Sequence, residues 1–247
     1  MRGGDLCRGR RDRFEKEEEM KRFEVYITKK EDLTDAIREY GFVPLFANSV
    51  PGFSVEENVD PKVWYSAGSS KWDVWEWKGP VIRDTGCAYG KFFDKKAVFA
   101  SAEWFTELAN YRRDGYDFDA RFDDGLAPLR DKELFDLIAA NEPVLSKDLK
   151  VMGDYVKGGK KGFESIITKL QEQCYALISD FVYERDSKGN AYGWGVAEYS
   201  TPEAFLGESF TQNVYKRSPR ESYELLYEHL RSILPHASEK QIEKLLK

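Results

Sequence analysis

The chain has 247 residues and a formal net charge of -6, long enough for one large domain or two small ones with a buried core that needs no cross-links. Three scattered cysteines (Cys7, Cys87, Cys174) and two histidines (His229, His236) exclude a disulfide framework, a CxxC zinc site and a histidine-rich metal centre. No long apolar run or signal peptide is present, so a cytoplasmic protein with no membrane association and no cofactor is expected, and any nucleic-acid contact must come from a local basic face.

Residues 1–21 carry mixed charge with almost nothing to bury, which predicts a disordered or frayed extension, and Met20 offers an alternative start. Residues 22–130 read as an aromatic-rich α/β region. A helix is expected over 31–40 with Leu33, Ala36 and Ile37 on one face and Gly41 as its stop. Turn signals follow at Pro51-Gly52, Ala67-Gly68-Ser69 and Gly79-Pro80. The alternation in Trp75-Glu76-Trp77-Lys78 predicts a half-buried strand, as does Tyr89-Gly90-Lys91-Phe92-Phe93. Ser101 caps a helix to about Arg113.

Residues 131–200 predict three short helices (131–141, 147–152 after a Ser146 cap, and 163–174) feeding a hairpin of 175–183 and 192–199. That is the order of a winged helix-turn-helix, whose last helix enters the major groove when such units bind DNA. Residues 201–247 are helical, with Thr201-Pro202 and Ser218-Pro219 as starts, and are expected to pack on the core, dimerisation being the lesser alternative to a monomer. The fold class is therefore α+β: a winged helix-turn-helix unit, an aromatic-rich N-terminal α/β region and C-terminal helices.

Among motifs, the run 153–162 is similar to a phosphate loop, but no Ser or Thr follows its lysines and a helix precedes it, so a turn is the better reading. Lys157, Lys160, Lys161 and Lys169, with Arg185 and Lys188 on the hairpin, could form a phosphate-contacting face, and Lys161, Glu164, Ser165, Thr168 and Gln171 could read bases from the third helix. Residues 146–192 nevertheless hold eight basic and seven acidic side chains. Trp75, Trp77, Tyr89, Phe92, Phe93 and Phe99 could line a pocket that stacks an extruded base, with Lys91, Lys95 and Lys96 beside it and Glu76 or Asp73 as acid-base candidates. An ordinary aromatic core is the heavier of the two readings. No GxSxG, HExxH or GxGxxG pattern occurs.

The combination of Trp75-Glu76-Trp77, Ala88-Tyr89-Gly90-Lys91-Phe92-Phe93-Asp94-Lys95-Lys96-Ala97, Trp104-Phe105, Leu170-Gln171 and Tyr192-Gly193-Trp194 resembles the AlkZ-related proteins, bacterial relatives of the AlkZ winged-helix DNA glycosylases. The resemblance covers most of residues 30–210 and implies a winged-helix architecture and a connection to DNA repair. The Gln-apolar-Gln or Gln-apolar-Asp triplet of the glycosylases is absent between residues 20 and 70, where Pro44 to Val50 is the most similar local context. Gln171-Glu172-Gln173 has the glutamine spacing with a charged centre, and Lys95 stands where those enzymes have a histidine. Three functions remain open: a DNA-binding protein with little or no catalysis, an active glycosylase using the aromatic pocket, and a protein-interaction module.

Overall fold

The structure is a computed structural model that describes residues 23–65, 73–189 and 191–247. The predicted extension over 1–21, the Ala67-Gly68-Ser69 turn and Trp72 lie outside the described residues. Helix α1 (Lys30–Tyr40) starts where the Asp32 carboxylate accepts from the backbone N–H groups of Thr28 and Lys29, at 2.9 and 3.2 Å. It stops at Gly41, where φ is +73° and a Cβ would stand 2.2 Å from the Trp104 ring. Only glycine satisfies both demands. Strand β1 (Phe42–Pro44) and two short helices, α2 (Val55–Asn58) and α3 (Pro61–Trp64), follow.

Helix α4 (Val74–Thr85) stands where a strand was expected at Trp75-Glu76-Trp77-Lys78. Alternation over so few residues fits a period of 2 and a period of 3.6 equally, and the residues beyond it decide. Val74, Trp77, Val81 and Ile82 bury a single helical stripe. The Asp73 carboxylate caps the start by accepting from the N–H groups of Trp75 and Glu76, at 2.9 and 3.2 Å. The expected Gly79-Pro80 turn lies inside the same helix. A Cβ on Gly79 would stand 2.6 Å from Asp180 Oδ1, so glycine here admits a neighbouring strand rather than a turn.

Strand β2 (Ala88–Phe93) stands where Tyr89 to Phe93 predicted one; it forms a hairpin with β3 (Lys96–Ala100), which was not expected, and β1 adds to β3 to give an antiparallel sheet of order β1-β3-β2. Helix α5 (Ala102–Arg113) begins as predicted, with the Ser101 hydroxyl accepting from the Trp104 N–H. Helix α6 (Phe118–Asp123) leads into the second unit.

That unit runs α7 (Leu129–Asn141), β4 (Val144–Leu145), α8 (Ser146–Met152), α9 (Phe163–Glu172), β5 (Leu177–Arg185) and β6 (Ala191–Ser200), with a second antiparallel sheet of order β4-β6-β5. The three helices and the hairpin follow the expected order. Strand β4 is additional: it pairs Val144 with Tyr199 and Leu145 with Glu198, and is too short to leave a periodic signature. Ser146 opens α8 as its first helical residue, and Leu145 occupies the cap position instead.

The chain closes with α10 (Pro202–Leu206), α11 (Glu208–Thr211), α12 (Pro219–Ile233) and α13 (Glu239–Leu246). Ser218 and Glu221 make the predicted capping box. Helix α12 packs on α5, where the Asn110 amide donates to the Ser222 hydroxyl at 2.7 Å and Tyr223 meets Tyr111 at 5.2 Å. The two sheets meet where β2 faces β5, with Tyr89 edge-on to Phe181 at 5.7 Å, and one apolar core runs through both. The fold is mixed α+β. Among the described residues no helix is long and apolar enough to cross a membrane, and Cys87 and Cys174 are buried, unpaired thiols.

Candidate functional site

Two surface features gather the residues singled out above. The first is a cleft of about 520 Å³ between β2 and α9, lined by Lys91, Lys95, Glu164, Thr168, Lys169 and their neighbours. It unites two lysines expected beside the aromatic pocket, Lys91 and Lys95, with three residues expected to read bases, Glu164, Ser165 and Thr168. The Lys91 ammonium donates to the Thr168 hydroxyl at 3.0 Å. One helical turn after Thr168 the expectation fails: Gln171 is fully buried, its carbonyl accepting from the Lys91 N–H at 3.1 Å and its amide donating to the Ile167 carbonyl at 3.0 Å. The ladder of β2 shifts register between Gly90 and Phe93, and Gln171 satisfies the N–H that this irregularity frees. It holds the two units together and cannot touch a base.

Four further lysines of this surface are compensated. Lys169 pairs with Asp131 at 2.7 Å, Lys160 with Glu133 at 2.9 Å, Lys150 with Glu164 at 2.8 Å, and Lys147 with Glu184. Thr168 is mostly covered, whereas Lys161 and Lys188 are exposed; the Arg185 side chain lies outside the described residues. Lys95 occupies the left-handed region with φ +61°, next to Asp94 at +52°, in the turn between β2 and β3. Lysine is a poor residue for that position. Lys95→Gly is therefore expected to raise stability by about 0.5–1 kcal/mol in chemical denaturation, while removing one cleft cation.

The second feature is aromatic, and it divides the expected pocket. Trp77, Tyr89, Phe92, Phe93 and Phe99 are buried core residues, because helix α4 turns Trp77 inward and β2 is covered by α9 and β5. Trp75 lies on the other side of that helix, in a surface cluster. It meets Phe46 at 6.0 Å, Trp64 at 5.8 Å and Trp194 at 6.2 Å, and Trp194 stacks on Tyr65 at 6.1 Å with an interplanar angle of 8°. Trp194 is 64% and Tyr65 51% exposed. Lys78, one helical turn from Trp75, holds its ammonium 4.7 Å from the Trp75 ring centre and 4.1 Å from that of Phe181. Burial pushes its pKa down to about 8, against the opposing pull of Glu76 and Asp73. Of the two acid-base candidates, Asp73 is buried as the cap of α4. Glu76 is half-buried and interacts with the Tyr183 hydroxyl, whose pKa is raised by burial first and by that carboxylate second. Among the described residues no cluster of His, Cys, Asp and Glu could hold a metal ion.

A family model described as AlkZ related matches residues 27–247. The chain belongs to the AlkZ-related family. No curated protein and no solved structure matches it. In this AlkZ-related chain the segments that carried the resemblance converge on the two features just described: Trp75 and Trp194 in the aromatic cluster, Lys91 and Lys95 in the cleft. Asn48, in the segment most similar to the glycosylase triplet, shapes its own loop by donating to the Phe53 carbonyl at 2.6 Å and accepting from the Val50 N–H at 2.9 Å. Sequence reasoning missed Lys78, Tyr65 and Tyr183. A helical reading of 74–85 would have placed Lys78 beside Trp75, where a strand reading placed it on the opposite face.

Proposed function

We propose that residues 129–200 form a winged helix-turn-helix, with α9 as its third helix and β5–β6 as its wing, and that this AlkZ-related chain is a DNA-associated, glycosylase-like protein. On this reading it engages DNA by stacking an unpaired base on the aromatic cluster at the root of the wing. The exposure of Trp194 and Tyr65, stacked in parallel beside Trp75, carries the proposal. Ring faces left in water form a stacking platform that accepts any base, each stacked base contributing roughly 1–3 kcal/mol. The cleft at Lys91 and Lys95, with exposed Lys161 and Lys188, supplies the cations that would meet phosphates.

Anisotropy titration of labelled single-stranded DNA, intact duplex and duplex with one unpaired base, over roughly 50–200 mM salt, tests this. Affinity is expected to fall with salt and to favour the unpaired base. Absence of binding at the lowest salt overturns it. The paired state of Lys147, Lys150, Lys160 and Lys169 favours a second reading, in which the helices of this unit bind protein. That reading expects the three DNA ligands to be indistinguishable. Catalysis of base release, if present, would fall to Glu76, the acid that lies in the aromatic cluster rather than in a cap; Glu76→Gln would then abolish release of alkylated bases.

A further inference from the structure

Lys78 is the group in the aromatic cluster that neither stacking nor phosphate contact uses. Its ammonium makes no hydrogen bond or ion pair among the described residues, and its neighbours are ring faces: Trp75 on its own helix and Phe181 on β5. Other lysines end on a polar partner: Lys30 on Asp84, Lys132 on Asp119 and Asp136, Lys91 on the Thr168 hydroxyl and Lys96 on the Ala47 carbonyl, and Lys150, which also lies over a ring, pairs with Glu164. Lys78 is half-buried instead, over the ring of Trp75, which meets the exposed Trp194 at 6.2 Å with an interplanar angle of 79°.

We propose that Lys78 is an amine nucleophile that forms a Schiff base with an aldehyde presented at this platform, the aldehyde being the ring-opened sugar of an abasic site in DNA. The inference rests on the DNA-associated reading above and extends it. An abasic site has lost its base, so its bare sugar is what meets the exposed ring of Trp194 beside Trp75. The neutral amine adds to the aldehyde carbon: a C–N bond forms, the carbonyl π pair becomes a hydroxyl after taking a proton, and a carbinolamine results. That hydroxyl then takes a second proton and leaves as water, the nitrogen gives up one of its own, and the product is a protonated imine. The balance is amine plus aldehyde plus one proton to iminium plus water, and no oxidant or metal is involved. The charged groups that act on Lys78 are Asp73, the cap of α4, and Glu76 on α4, and Glu76 in turn interacts with Tyr183 on β5. The Tyr183 hydroxyl, interacting with Glu76, would supply a proton to the departing hydroxyl. A Lys78 pKa near 8 leaves far more free amine at neutral pH than an ordinary lysine has.

The test uses the full chain and a duplex carrying one abasic site, treated with borohydride, which reduces an iminium to a permanent amine link. Trapped protein is digested and the modified peptide mapped by mass. The expected result is a covalent adduct on Lys78, present in the native chain and lost in Lys78→Met, a substitution that keeps the stem packed between the rings. Mapping in the native chain decides the matter even if that variant folds poorly. An adduct confined to other lysines, or no adduct on DNA that the protein demonstrably binds, overturns the assignment while leaving the DNA reading intact. No binding to the abasic duplex at low salt overturns both.

Discussion

Arg113→Ala is expected to destabilise the protein by about 3–5 kcal/mol, read as a lower denaturation midpoint with an unchanged denaturant slope. The guanidinium is 1% exposed. It donates to Glu203 Oε1 at 2.5 Å, to the Cys174 carbonyl through Nη2 at 2.7 Å and Nε at 3.2 Å, and to the Tyr215 hydroxyl at 3.1 Å. Its flat face lies over Tyr175 at 4.7 Å and Phe210 at 5.2 Å. One side chain of α5 thus ties the exit of α9 to α10 and the segment before α12. Most of the loss arises at Cys174, a buried residue in the left-handed conformation whose carbonyl would be left without either donor. Glu203 is 42% exposed and can turn to water, so the ion pair itself adds less. Arg113→Lys is expected to recover little, because an ammonium cannot reproduce the two-pronged contact or the stacking.

Trp77→Ala is expected to cost a similar amount, about 3–5 kcal/mol, whereas Trp194→Ala should cost about 0.5–1 kcal/mol. The contrast follows from burial. Trp77 is 2% exposed in the stripe that seats α4 on the core, and Trp194 stands largely in water on β6. The same pair separates stability from the proposed DNA contact. A Trp77 variant that still folds should bind DNA nearly as the native chain does, and a Trp194 variant that has lost little stability should not.

What the sequence discloses and what it conceals follow from the range of the interactions. Local chemistry is legible: Ser101 and Ser218 at helix starts, Gly41 at a helix stop, and the apolar stripe of Phe163, Ile166, Ile167 and Leu170 all occur where their residue types predict. The Trp75-Glu76-Trp77-Lys78 segment was misread because the Asp73 cap and the later stripe at Val81 and Ile82, not the short alternation, set its period. Gln171 and Lys169 were misjudged for another reason. One is buried by a backbone N–H 80 positions away in the chain and the other is paired with an aspartate 38 positions away, and helix periodicity carries no trace of either partner. The aromatic segment was recognised as important, but its division into a core half and a surface half depends on which way α4 faces. That became visible only with Trp194 and Tyr65 brought beside Trp75.

The proposed role of that surface half is tested most directly by comparing the native chain with Trp194→Ala on DNA containing one unpaired base, at a single low salt concentration and with thermal stability measured in parallel. The account predicts an affinity lower by about tenfold to a hundredfold in the variant, the equivalent of one lost stacking contact, with its stability nearly unchanged. Equal affinity of the two proteins would contradict it.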